Sequence, residues 1–332
     1  MPERWYTGHV ESSKVGVIDC VSAGFLAVYR KPAILVVPIL IDLLLWVMPS
    51  ISPEPIINTL TDQPIINTLT DSLSSTESII ESPSINQDTQ LATPLPPPES
   101  FTIEDLSILG TANLAGILGT QAQAYLAFPS PGRTGQRTIE VTSWQGLALS
   151  LLLFILGGVV IGTIYLAMLA QYVKTGAPWP IREGQVLKLA IRLLGYMAVV
   201  TAIYSTIAAT CMILIKVAPP LLPIIVLIGL TAAFISLVYL FVGEAALFMD
   251  DLEPMQALKR SFMFARANML SLVGLVILIA VISLGLQLIL GTIATHPLGL
   301  PPAILLNACV MTALTFAVMN YYWHHTKEEV SR

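Results

Sequence analysis

The sequence predicts an all-α polytopic transmembrane helical bundle with six spans plus interfacial amphipathic helices, and three observations carry that prediction. Apolar runs occupy 33–49, 146–173, 193–217, 221–248, 270–294 and 302–323, most of them long enough to cross ~30 Å of hydrocarbon. With 55% hydrophobic and only 11% charged residues over 332 positions, the chain could not hide its apolar surface from water as a soluble fold. The charges are also sorted by side. When the N-terminus is placed in the cytoplasm, 13 of the 16 Lys and Arg residues fall inside, and only Arg133, Arg137 and Lys216 fall outside. Carrying Lys or Arg across short loops is disfavoured, so this split sets orientation.

Both termini are therefore expected in the cytoplasm and the protein in the cell membrane, as an even number of spans also requires. The first residues, MPERWYTGHVESSKVG, show no short apolar stretch before a small-residue cleavage site, so no cleaved signal peptide is expected. The net charge of −5 misleads as an average, because ten acidic residues lie within 50–143. Charge here reports sidedness, and nucleic acid is not an expected partner. Membrane lipids are, together with a protein component of a membrane complex.

In chain order, 1–32 reads as a cytoplasmic N-terminus with an interfacial helix, its apolar Ile18, Val21, Phe25 and Val28 ending at Arg30, Lys31 and Pro32. Span one, 33–49, is short and contains Asp42. The 94-residue segment 50–143 is extracytoplasmic, and 50–100 is expected to be largely disordered. It holds two tandem copies of Pro-Ile-Ile-Asn-Thr-Leu-Thr-Asp, starting at Pro55 and Pro64, and a proline-rich stretch at 91–99 suited to a stiff polyproline spacer. Residues 102–127 carry an amphipathic stripe that includes Ile103, Leu106, Leu114 and Tyr125, and predict a helix needing a surface to form. The remainder, 144–332, forms spans two to six. A short amphipathic segment with Val186, Leu189 and Leu193 precedes span three, beside Lys188 and Arg192. A cytoplasmic interfacial helix at 254–268 precedes span five, with Met255, Leu258, Phe262, Ala265 and Met269 on one face. Arg30, Lys31, Lys259, Arg260 and Arg266 are the expected interfacial anchors, their charges snorkelling to headgroups. Tyr321, Tyr322 and Trp323 with His324 and His325 suggest an interfacial aromatic belt.

Asp42, near the middle of span one, and Glu244, near the cytoplasmic end of span four, are the candidate intramembrane polar sites. A carboxylate facing lipid is costly, so each must face protein or water. Glu244, Asp250, Asp251 and Glu253 crowd ten residues and could bind a divalent cation, or could support the next helix and neutralise Lys259 and Arg260. The four histidines are scattered, and Cys20, Cys211 and Cys309 read as packing residues. The sequence lacks H-E-x-x-H, G-x-x-x-x-G-K-[ST], G-x-S-x-G and a strand-anchored G-x-G-x-x-G. No enzymatic activity, catalytic residue, cofactor or metal site is expected. Gly158 and Gly162 form a G-x-x-x-G suited to close packing within the bundle.

The stretch 253–270, Glu-Pro-Met-Gln-Ala-Leu-Lys-Arg-Ser-Phe-Met-Phe-Ala-Arg-Ala-Asn-Met-Leu, and the span after it resemble uncharacterised bacterial six-span integral membrane proteins. Among these are families similar to the membrane domain attached to some glycerophosphodiester phosphodiesterases. The resemblance covers 253–323 and implies a helical membrane bundle in a lipid-related setting, without the phosphodiesterase barrel. Two functions follow as expectations: a non-enzymatic scaffold, assembly component or membrane organiser, or a transporter or lipid-handling permease with a cavity near Asp42 and a gate at Glu244.

Overall fold

A computed structural model describes residues 16–53, 55–56, 138–178, 183–294, 296 and 299–331. The tandem copies beyond Pro55 and Ile56, the proline-rich segment 91–99 and the amphipathic stretch 102–127 lie outside the described residues.

Helix α1 (Val17–Arg30) begins where the Asp19 carboxylate accepts the Gly16 backbone N–H at 3.0 Å. It stops at Lys31-Pro32, because a proline ring disfavours helical backbone in the residue before it. A 3-10 turn, Pro32–Leu35, leads into α2 (Val36–Val47). Strand β1 (Ser50–Ser52) then pairs in parallel with β2 (Thr138–Glu140), so part of the stretch expected to lack order is hydrogen-bonded. That pairing brings the end of α2 beside the start of α3 (Trp144–Thr175). Ser143 caps α3, its hydroxyl accepting the Gly146 N–H at 3.1 Å, and Gly176 ends it at a φ of 73°, a conformation that glycine adopts without a Cβ clash. There follow α4 (Glu183–Val217), a 3-10 turn at Pro219–Leu221, α5 (Leu222–Leu240), α6 (Gly243–Met249), α7 (Pro254–Ala267), α8 (Met269–Ala294) and α9 (Leu300–Ser331).

The ends of these helices sort themselves by their polar contacts. The Lys174 ammonium donates to the Phe248 carbonyl at 3.4 Å, the Tyr322 hydroxyl donates to Asp250, and Arg192 binds Asp251. The C-terminal ends of α3, α6 and α9 and the start of α4 thus share one end of the bundle, and Trp144 marks the other. Among the described residues, five apolar stretches are long enough to cross a membrane: Trp144–Thr175, Gly184–Val217, Leu222–Met249, Met269–Ala294 and Leu300–Lys327. The expected sixth, Pro32–Val47, is shorter. At ~1.5 Å per residue it falls several ångströms short of ~30 Å of hydrocarbon, because Lys31-Pro32 separates it from α1.

Packing revises three further expectations. The segment before span three is no separate surface helix, since Val186 to Leu193 form the first turns of the 35-residue α4. Of the expected apolar face of α1, Val21 and Val28 are buried while Ile18 and Phe25 stay exposed, and the buried face is completed by Cys20, Gly24 and Ala27, a stripe of small residues. This stripe lies along α9 so closely that a Cβ at Gly24 would collide with the Ala313 carbonyl, and α1 and α9 are the most extensively packed pair of helices. Tyr321 and Tyr322 form no belt. Both are fully buried, with Phe264 of α7 in edge and tilted contact at 5.9 and 5.2 Å between ring centres. Deeper in the core, the buried Tyr165 donates a hydrogen bond to Thr312 at 3.0 Å, joining α3 to α9.

The close approach of α1 to α9 makes Gly24 intolerant of any side chain. Gly24→Ala is expected to cost ~1–3 kcal/mol, the usual range for overpacking, and to lower the thermal midpoint in detergent. Gly274→Ala, where a Cβ meets nothing within 4 Å, should leave it unchanged or raise it slightly. Equal midpoints for the two variants would contradict the α1–α9 contact.

Candidate functional site

The site is built around a break in a membrane helix. Between α5 and α6 the chain turns at Phe241 and Val242, which leaves carbonyls at the end of α5 without helical partners. In hydrocarbon such groups must be satisfied by protein. Two side chains do this. The Tyr196 hydroxyl of α4 donates to the Leu240 carbonyl at 2.7 Å, and the Ser261 hydroxyl of α7 donates to the Tyr239 carbonyl at 2.6 Å. Gly243 lets the Tyr196 ring come this close, since a Cβ there would fall on the phenol. Phe262 stacks on Tyr239 at 4.6 Å and closes the outside of the joint.

Glu244 stands in the first turn of α6, directly after this break. Beside it lies a pocket of about 110 Å³, lined by Leu166 of α3, Phe241, Glu244, Ile279 of α8, and Met311 and Thr315 of α9. The Glu244 side chain is half-buried and lines the pocket. Among the described residues no hydrogen bond or ion pair reaches its carboxylate. An unpaired charge in so apolar a setting is costly, which makes the pocket the place where a polar or cationic partner would meet this carboxylate.

Asp42 takes a different place. It is fully buried on α2, which packs against α9 and α3, and it does not line the Glu244 pocket. The structure therefore does not bring the two candidate acids together in one cavity. The other carboxylates part as well. Asp250 accepts the Tyr322 hydroxyl, and Asp251 turns to α4 rather than to Lys259. No group of three or more His, Cys, Asp or Glu converges among the described residues.

Asp251 adopts a φ of 51°, left-handed for a non-glycine residue. Arg192 holds it there, one guanidinium nitrogen reaching the Asp251 carbonyl at 2.7 Å and its carboxylate at 2.5 Å, while Lys188 stands 3.8 Å from the second carboxylate oxygen. Of the expected anchors, Arg30, Lys31, Lys259 and Arg266 are exposed, and Arg260 is half-buried beside Tyr322. The buried face of α7, Ala257, Ser261, Phe264 and Ala265, packs inward, which of the expected apolar face takes Ala265 and leaves Met255 and Phe262 exposed beside the basic side chains. Burial on α1 pushes the Cys20 thiol up to about 12, so it stays protonated and unreactive at neutral pH. No protein family, curated protein or solved structure compared with the chain matches it.

Tyr196 is the side chain on which the break most directly depends. Tyr196→Phe keeps the ring but removes the donor, and the stranded Leu240 carbonyl should cost ~1–3 kcal/mol, read as a lower thermal midpoint in detergent. Tyr204→Phe, two turns further along α4, serves as the comparison and should change it little.

Proposed function

We propose that the chain is a non-enzymatic membrane permease for a small or amphipathic solute, with Glu244 as its polar contact. One observation carries this reading: a carboxylate without a partner opens into a pocket among four helices, next to a discontinuity in a membrane helix. Broken helices at a buried polar site are the means by which many transporters bind a solute inside the bilayer. The lipid-related setting implied by the resemblance of 253–323 agrees with it. The reading of the chain as a scaffold or assembly component rests instead on its sparse polar interior and its interfacial helices.

The proposed topology has six crossings. The stretch 32–47 makes the first of them, from the Lys174 end to the Trp144 end, with both termini in the cytoplasm of a cell membrane. The path of the chain supports this. Arg30 acts electrostatically on Tyr172, near the Lys174 end, whereas β1 just after α2 pairs beside the start of α3 at the Trp144 end. So short a crossing implies local thinning of the bilayer around α2.

Two measurements test these statements. In proteoliposomes, wild-type protein should move protons, read by an internal pH dye under a potassium gradient, or a fluorescent phospholipid, read by external quenching. Glu244→Gln should reduce whichever flux is present at least tenfold. If wild type moves neither faster than empty vesicles and instead purifies with a stoichiometric protein, the assembly role takes its place. For topology, tags at the N-terminus and at residue 90 should be cut by protease from opposite sides of sealed vesicles; cutting of both from one side would rule out a crossing at 32–47 and with it the six crossings.

A further inference from the structure

At the Lys174 end of the bundle, separate from the Glu244 pocket, the surface holds a basin of about 240 Å³. Liquid water occupies roughly 30 Å³ per molecule, so the basin has room for a multi-atom polar group. Its rim is polar, with Gln171 and Lys174 from α3 and Gln185 and Lys188 from α4, and its wall includes Phe248 and Asp251. Gln171 and Lys174 are three apart on one helix, as are Gln185 and Lys188 on the other, so each pair shares a face and the two faces meet across the basin.

Charge decides what such a basin accepts. Arg192 already grips Asp251 at its carbonyl and one carboxylate oxygen, and Asp250 is held by Tyr322. Lys188 lies 3.8 Å from the other Asp251 oxygen, too far for a hydrogen bond, and Lys174 gives a single long contact of 3.4 Å to Phe248. A lysine ammonium has three donors, so both retain donors for a ligand. Three cations, Lys174, Lys188 and Arg192, face two carboxylates, Asp250 and Asp251, and the two lysines are the ones at the rim. The side-chain amides of the two glutamines add neutral donors. Lysine serves as a point-charge partner for phosphate, which suits a rim approached from several directions.

From this we infer a binding site for the phosphate of an anionic headgroup, carried by a lipid or by a soluble phosphate compound, with Lys174 and Lys188 as its cationic contacts. The site is independent of whether Glu244 supports flux. It stands at the bundle end from which the exposed Arg30 and Lys31 also emerge, so an anionic lipid could reach it from the membrane surface.

The full chain in detergent, examined by native mass spectrometry with added phosphatidic acid or phosphatidylcholine, tests the site. Wild type should retain one phosphatidic acid at a concentration at least tenfold below that needed for phosphatidylcholine. K174Q/K188Q should lose the preference, K174R/K188R should keep it, and K216Q, at the far end of α4, should behave as wild type. Displacement of the lipid by low-millimolar inorganic phosphate would assign the site to soluble phosphate compounds, and retention in its presence would assign it to lipid; both support it. Absence of a preference in wild type, or an undiminished preference in a K174Q/K188Q protein whose thermal midpoint matches wild type, would overturn it. Should the glutamine variant fold poorly, the arginine variant decides: loss of its preference with a normal midpoint would equally count against a site defined by two positive charges.

Discussion

A backbone carbonyl in hydrocarbon has no water to bond, and this bundle depends on meeting that constraint at one place, the turn between α5 and α6. An unbroken helix from Leu222 to Met249 would satisfy its own backbone. The turn at Phe241 and Val242 interrupts that ladder just ahead of Glu244, and Tyr196 and Ser261 supply the donors that the turn leaves wanting. Because those donors come from α4 and α7, the break also fixes where α4 and α7 pack. Gly243 is required by the same geometry: the ring that brings the hydroxyl to Leu240 occupies the space of a side chain.

At the Lys174 end a second polar joint does comparable work outside the hydrocarbon. The α6–α7 connection is short, and Asp251 turns it through a left-handed conformation that an aspartate tolerates better than most side chains. Arg192 fixes that conformation by binding carbonyl and carboxylate together, and Tyr322 fixes Asp250 from the opposite side. Acids adjacent in sequence thereby tie α4 and α9 to the same loop. Pairing with Lys259 or Arg260, as helix spacing alone suggests, would have left α4 without this tie.

How much of this could be read from the sequence follows from the range of each signal. The long apolar runs are local and strong, and all five helices long enough to cross a membrane lie where those runs lie. The helix at 254–268 was likewise legible from Pro254 and the spacing of its apolar residues, yet of the face it buries, Ala257, Ser261, Phe264 and Ala265, only Ala265 was. That face is selected by tertiary packing against α4, α5 and α6, which the spacing of apolar residues within the helix does not encode. The same limit hid the small-residue face of α1, because Cys20, Gly24 and Ala27 matter only once α9 lies across them. Glu244 was visible as an acid in an apolar run. Its lack of a partner and the pocket beside it were not, and the one local hint of a break was the Gly243 just ahead of it.

The pocket and the basin are neighbours along the same helices. On α3, Leu166 lines the pocket while Ala167 and Ala170 line the basin; on α6, Glu244 and Ala245 line the pocket while Phe248 lines the basin. Four residues, about 6 Å of helix, separate Glu244 from Phe248. The seven-residue α6 is joined to α5 by a turn rather than by continuous helix, and its far end is held by the Lys174 contact to Phe248 and by the loop of Asp250 and Asp251. Any displacement of α6 about the turn therefore changes the walls of both spaces at once, and two ligands that each distinguish the displaced arrangement must change one another's affinity by the same factor. The coupling needs no further element, because the wall the two spaces share is itself the short helix between two polar joints.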